Sequence, residues 1–163
     1  MPSDDHSSPS RLPAISWREW VSLPDLGIPA IKVKVDTGAR TSALHTHDYT
    51  IEETPEGTFA NFHVHPRRRD PSVVIACRAP VTDFRVVSDS GGHRETRPFI
   101  TSRLRVGEME WDVELSLVNR ESMRFRMLLG RKALAGRVAV DCGASFLHGH
   151  HLYKVYRNWP RAI

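Results

Sequence analysis

The stretch from Ile28 to Gly38 constrains this chain more than any other. Ile31, Val33 and Val35 alternate with Lys32 and Lys34, the period-2 pattern of a strand with one buried face. The strand then runs into Asp36-Thr37-Gly38-Ala39-Arg40. A charge left uncompensated at the end of a buried strand is expensive, so the carboxylate must be held by donors or put to use. Gly38 lets a backbone or a ligand come close, and the Thr37 hydroxyl is placed to bond back to the main chain and fix the turn. The expected object is a rigid loop presenting Asp36 to a cavity.

Around it the pattern is one of short strands. Ile15 to Leu26 reads as an opening strand or turn followed by a loop, and the Thr58 to His65 run, with Phe62 and Val64 alternating, is a strand. Val73 to Cys77 and Pro80 to Val87 read as two more. Ser88 to Glu95, with the adjacent glycines Gly91 and Gly92, reads as a mobile hairpin tip. Leu104 to Leu117 gives a further hairpin turning at Gly107-Glu108, and Arg131 to Gly136 a short helix closed by glycine. Val138 to Val140 and Leu152 to Tyr156 are expected to finish the sheet. Many strands and one short helix near the C-terminal end define an all-β class, a closed barrel or sandwich.

With 163 residues, the prior is a single domain. Residues 1 to 12 are rich in Ser, Pro, Asp and His and are expected to form a disordered arm before a domain at 13 to 163. Neither a signal peptide nor an apolar run long enough for a membrane span is visible, and two cysteines, Cys77 and Cys142, make no disulfide framework, so a cytoplasmic location is expected. The net charge of +4 biases the surface toward acidic partners. Much of the excess sits in Arg67, Arg68 and Arg69, between prolines, which is read as a solvated loop rather than as a nucleic-acid contact.

Val-x-Val followed by Asp36-Thr37-Gly38-Ala39 resembles the active-site loop of retropepsin-type aspartic proteases. The wider run from Lys34 to His45, with Met127 to Leu134 downstream, is similar to one bacterial branch, the RimB-like retropepsin-like endopeptidases also labelled "ATP-dependent zinc proteases". Some of its members accompany the ATP-grasp ligase that adds glutamates to a ribosomal protein. The resemblance covers residues 15 to 157 and implies a retropepsin-like closed β-barrel. It also implies a catalytic loop at Asp36, Thr37 and Gly38, with Ala39, Leu128, Leu129 and Gly130 supporting it and the Gly91-Gly92 hairpin as a flap. Arg40 and Arg131 are the substrate-binding candidates, and Arg131 equally a dimer brace. The separation of Asp36 from Gly130 exceeds that of compact viral members, and the excess is assigned to His47 to Val73.

Peptide hydrolysis by this class uses two carboxyls sharing one proton around a water, one drawing a proton from it and the other polarising the scissile carbonyl. At ~3 Å and an effective dielectric of ~20, two carboxylates repel by about 5 kcal/mol, which keeps the proton between them. A chain with one such loop is expected to take the second carboxyl from a symmetry mate, in a two-fold homodimer whose Thr37 hydroxyls brace the loops. Val138 to Ala144 echoes the acid loop around Asp141, but too few residues follow for a second half, so Asp141 is read as a strand end. Ala39 stands where a hydroxyl would donate to the carboxylate, and its absence is expected to extend activity toward neutral pH.

The "zinc" and "ATP" labels fare less well on the residues. His45-x-His47, His63-x-His65 and His148-x-His150-His151 could each chelate along a strand, yet no His-Glu-x-x-His or Cys-x-x-Cys completes a set. No phosphate-binding Gly-x-x-x-x-Gly-Lys-Ser/Thr loop is present, so neither a metal nor a cofactor is expected. Three functions follow. The first is a dimeric aspartic endopeptidase acting on a peptide or protein. The second is a non-catalytic module of the same fold partnering an ATP-grasp glutamate ligase or its acidic-tailed substrate. The third is an RNA or ribosome contact through Arg67 to Arg69.

Overall fold

The computed structural model describes residues 11–89 and 91–161, and most of the expected N-terminal arm lies outside them. Eleven strands dominate: β1 (Ala14–Ser16), β2 (Arg18–Leu23), β3 (Ile28–Val35), β4 (Ser42–His45), β5 (Asp48–Thr54), β6 (Gly57–Val64), β7 (Ile75–Ser88), β8 (Arg94–Val106), β9 (Met109–Val118), β10 (Met127–Leu129) and β11 (Ala139–Asp141). One short helix, α1 (Arg131–Leu134), follows β10, and 3-10 turns occupy Pro24–Leu26 and Leu152–Tyr156.

The main sheet runs β2-β3-β10-β4-β9-β8-β7-β6-β5, and Ser22 of β2 also pairs with Arg105 of β8. That pairing closes β2, β3, β10, β4, β9 and β8 into a six-stranded barrel, so the inner strands have no free edge. The barrel is filled from these strands: Ile28, Ala30, Ile31, Val33, Leu104, Leu115, Leu117 and Leu129 are fully buried. The all-β expectation holds, as does the alternation of β3.

β7 is one strand where two were expected. Its first half pairs with β6 up to Pro80 and its second half with β8 from Val81, with a bulge between Val81 and Asp83. Pro80, which lacks an amide hydrogen, falls at the handover. The β5–β6 hairpin, part of the region His47 to Val73, therefore extends the sheet outward from the barrel rather than entering it.

Two expectations at the C-terminal end are corrected. β11 does not join the main sheet; it pairs in parallel with β1, Ile15 opposite Val140, as a separate two-stranded sheet. Leu152–Tyr156 is a 3-10 turn, not a strand. The reason is the spacing of its aromatics. Tyr153, Tyr156 and Trp159 recur every third residue, the 3-10 period, with Tyr153 against Trp20 and Trp159 against Tyr156. Tyr156 is fully buried; its hydroxyl donates to the Ala30 carbonyl and accepts from the Ala30 amide at 3.2 Å.

Glu19, the second residue of β2, is fully buried as well. Its carboxylate accepts from the Ser16 amide (2.7 Å), the Ser16 hydroxyl (2.6 Å) and the amides of Leu147 (3.2 Å) and His148 (3.1 Å). One carboxylate with four donors on it thus ties the segment after β11 to the barrel wall.

Tyr156→Phe leaves the Ala30 backbone groups without this partner and should lower unfolding free energy by about 1–2 kcal/mol in urea titration. Alkaline pH probes the same wall. Burial pushes the Cys77 thiol up from 9.0 to about 12, and burial also raises the Tyr156 phenol. Both are neutral when protonated, so the folded chain keeps protons that the unfolded chain releases. Stability should be level below pH 9.0 and fall toward pH 12, and Cys77→Ala should flatten part of that fall.

Candidate active site

β3 delivers Asp36 to the rim of the barrel, and β10 runs parallel beside it, with Met127, Leu128 and Leu129 opposite Val33, Lys34 and Val35. The Asp36 amide donates to the Leu129 carbonyl at 2.8 Å, which continues that ladder one residue past the strand. Leu129 is fully buried, so the point where the acid loop leaves the barrel is anchored in the core.

The loop turns tightly. The Gly38 amide donates to Asp36 Oδ1 at 3.0 Å, and the Ala39 amide to the Asp36 carbonyl at 3.2 Å. The Thr37 hydroxyl, expected to fix this turn, makes no hydrogen bond among the described residues; the Asp36 carboxylate does that work instead. Thr37 and Gly38 are exposed and Asp36 is half-buried.

After the loop the chain doubles back against β10 and α1. The Arg131 amide donates to the Ala39 carbonyl (2.8 Å), the Lys132 amide to the Arg40 carbonyl (3.1 Å), and the Gly130 amide to the Ser42 hydroxyl (3.0 Å). Glycine is required at 130 for space: a Cβ there would stand 2.5 Å from the Thr41 carbonyl oxygen and 2.9 Å from that of Ala39. Arg131 Nη1 donates to the carbonyls of both Thr37 and Gly38 at 3.0 Å. Arg131 therefore clamps the acid loop of its own chain. The indole of Trp111 fixes the helix by donating to the Ala133 carbonyl at 2.9 Å.

A cavity of about 580 Å³ opens beside the loop, between Arg40 and Thr41, the β7 segment Arg85 to Ser88, and Lys132. Arg40 lines this cavity. Arg85 and Lys132, not singled out in the sequence, line it too, and Glu114 pairs with both, at 2.7 and 4.0 Å. The β7–β8 hairpin that walls the cavity carries Gly91 and Gly92 at its tip. Ser90 lies outside the described residues, and Asp89 organises the rest: Oδ1 accepts from the Gly91 and His93 amides at 2.9 Å each. These bonds, the His93 amide foremost, hold the Asp89 carboxyl below the usual range.

The turn at Asp141 repeats that at Asp36, with the Gly143 amide on Asp141 Oδ1 at 3.0 Å. It lacks the crossing, however: Asp141 ends β11 against Ser16 of β1, with no Leu-Leu-Gly strand beside it. The histidines have local partners. His45 is buried and accepts the Arg120 amide at 3.0 Å, burial holding its ring below the usual range; His47 faces Glu121, His63 faces Asp48 and His148 faces the Ala14 carbonyl. Among the described residues, no three His, Cys, Asp or Glu side chains lie together as a metal site.

A closed six-stranded barrel whose acid loop is crossed by an apolar-apolar-Gly strand defines a retropepsin-like protein. The model of one family, described as retropepsin-like aspartic endopeptidase RimB, matches residues 14–151. The chain belongs to this RimB-like family. It is 44% identical over 127 residues to a probable alpha-L-glutamate ligase of Desulfotalea psychrophila, covering 78% of this chain and 27% of that protein. A probable alpha-L-glutamate ligase of Parasynechococcus marenigrum is 49% identical over 123 residues, with 76% and 26% covered. The chain thus spans about a quarter of the length of these relatives. In fold it is similar to a Legionella pneumophila crystal structure described as of unknown function, with a TM-score of 0.70 at 21% identity, covering 84% of this chain and 98% of that one.

Gly130→Ala should cost about 2–3 kcal/mol or more of stability in denaturant titration, because the added methyl meets backbone that cannot step aside. Arg131→Gln removes an exposed clamp and should change stability by less than about 1 kcal/mol. It should broaden or shift the amide NMR signals of Thr37 to Ala39, and leave those of β5 and β6 in place.

Proposed function

We propose that this chain is an aspartic endopeptidase assembled from two copies. The observation that carries the reading is the Asp36 loop: a half-buried carboxylate on a main-chain donor, pinned by β10 and Arg131, in a stretch whose Arg40 and Thr41 line a cavity large enough for peptide side chains. Asp36 is the catalytic carboxyl, and its counterpart in a second copy completes the pair. Thr37 and Gly38, exposed at the rim, are the surface across which the two loops meet. The water between the carboxyls gives a proton to one of them and attacks the peptide carbonyl polarised by the other. The β7–β8 hairpin closes over the substrate and excludes water. Arg40 and Lys132 favour acidic side chains in the cavity.

A second reading is favoured by one finding. The relatives carry this stretch as about a quarter of proteins named probable alpha-L-glutamate ligase. On this reading the domain engages a glutamate ligase or its acidic product, with or without cleavage.

Incubation with a peptide library should show cleavage by wild type and loss of at least about 1,000-fold in Asp36→Asn. Asp141→Asn should keep wild-type activity, and chelator should change nothing. Cleavage that vanishes with chelator contradicts the aspartic mechanism. A chain that binds acidic peptide without cutting any supports the second reading. Activity per molecule should fall on dilution, as sedimentation shows the dimer dissociating.

A further inference from the structure

A second concavity, of about 490 Å³, lies outside the candidate active site and within the usual range of small-ligand pockets. Its lining draws Lys32 from β3, Arg67, Arg68 and Arg69 from the loop after β6, and Arg124 and Arg126 from the segment before β10. No Asp or Glu lines it. Among the described residues, none of these six cations is in a salt bridge. Lys32 is four residues upstream of Asp36, about 13 Å of strand, so the two features are separate.

The cost of gathering these charges is visible. Burial, then Arg18, Arg69, Arg124 and Arg67, hold the Lys32 ammonium below its ordinary range. Burial and Arg68 do the same to the Arg126 guanidinium; Glu121 opposes this from beyond ion-pair distance and is itself bonded to His47. Arg126 supplies an independent sign. It is only 9% exposed, and its Nε and Nη1 are enclosed without a hydrogen-bond partner. Buried guanidinium donors are ordinarily satisfied, because the alternative forfeits their hydration for nothing. The aromatic walls hold the cations in place without neutralising them: Lys32 Nζ lies 5.5 Å from the centre of Phe125 and 6.0 Å from that of Trp20.

We propose that this cavity is a binding site for a compact polyphosphate anion of the pyrophosphate or triphosphate class. Charge density decides between anions. Carboxylates on one side of an extended acidic peptide stand about 7 Å apart, so the cavity would admit one or two of them against six cations. Linked phosphates bring a comparable volume several negative charges and a fan of acceptor oxygens, which planar guanidinium groups bind two at a time. A single-stranded nucleic acid needs a groove that tracks its backbone. Here three separate segments converge on one hollow instead.

Isothermal titration of the full chain with inorganic pyrophosphate and tripolyphosphate, at physiological ionic strength, tests this. One saturable site is expected, with affinity weakened about 10-fold or more in Arg126→Gln. Arg68 and Arg69 are exposed, so an Arg68→Gln, Arg69→Gln double variant gives the same test if Arg126→Gln does not fold. Arg78→Gln, away from the cavity, should bind as wild type. Adenosine triphosphate binding as well as tripolyphosphate identifies free polyphosphate chemistry, and tighter binding identifies a nucleotide as its carrier. No saturation by about 1 mM overturns the proposal, as does equal weakening in Arg78→Gln. Hexaglutamate or a single-stranded oligoribonucleotide displacing pyrophosphate with about 10-fold higher affinity overturns it in favour of a macromolecular anion.

Discussion

Everything about the candidate active site depends on how β10 and Gly130 cross the acid loop. The Asp36 amide is held by the Leu129 carbonyl, and Leu129 is in the core, so the loop starts from a fixed point. The return strand then passes so close that no side chain fits at 130. A loop that was free at either side would lose its geometry to conformational entropy on every opening. Pinned twice by backbone and once by the Arg131 guanidinium, it keeps the carboxylate at the rim with a main-chain donor on it. That is preorganisation, and it is what a site that must polarise a water requires.

Barrel closure serves the same end. The Ser22–Arg105 pairing joins the first wall to the last, so β2, otherwise an edge, has neighbours on both sides. The added β5–β6 hairpin hangs on the far side of β7 and leaves the rim open. Polar groups that would otherwise weaken the wall are used as ties, Glu19 to the segment after β11 and Tyr156 to Ala30.

The legible parts of the sequence were those with a strict period or a local turn chemistry. β3 announced itself by the alternation of Ile31, Val33 and Val35, and the acid loop by a carboxylate followed by Gly38. The crossing at Leu128-Leu129-Gly130 followed from the family resemblance, not from spacing. Leu152 to Tyr156 reads as a strand because Tyr153 and Val155 flank Lys154, and only the recurrence of Tyr153, Tyr156 and Trp159 at every third residue distinguishes a 3-10 turn. β11 was misplaced because a three-residue apolar run carries no information on which sheet it joins. The roles of Arg131 and Thr37 could not be read at all: whether a side chain reaches a carbonyl 94 positions away depends on the fold. Glu19 left one usable signal, an acid between Trp17 and Trp20. The basic cavity left half of one, since Arg67 to Arg69 are contiguous but Lys32, Arg124 and Arg126 come from elsewhere.

The central claim is that Asp36 is half of a site and a second copy holds the other half. Subunit mixing tests it most directly. Wild type at constant concentration is equilibrated with increasing Asp36→Asn chain, and peptide cleavage is followed. If each chain lends one carboxyl, exchange puts wild-type chains into inactive mixed dimers, and activity falls with roughly the wild-type fraction of the total. Activity that stays constant, however much Asp36→Asn chain is added, would mean that one chain carries a whole site and would contradict the account.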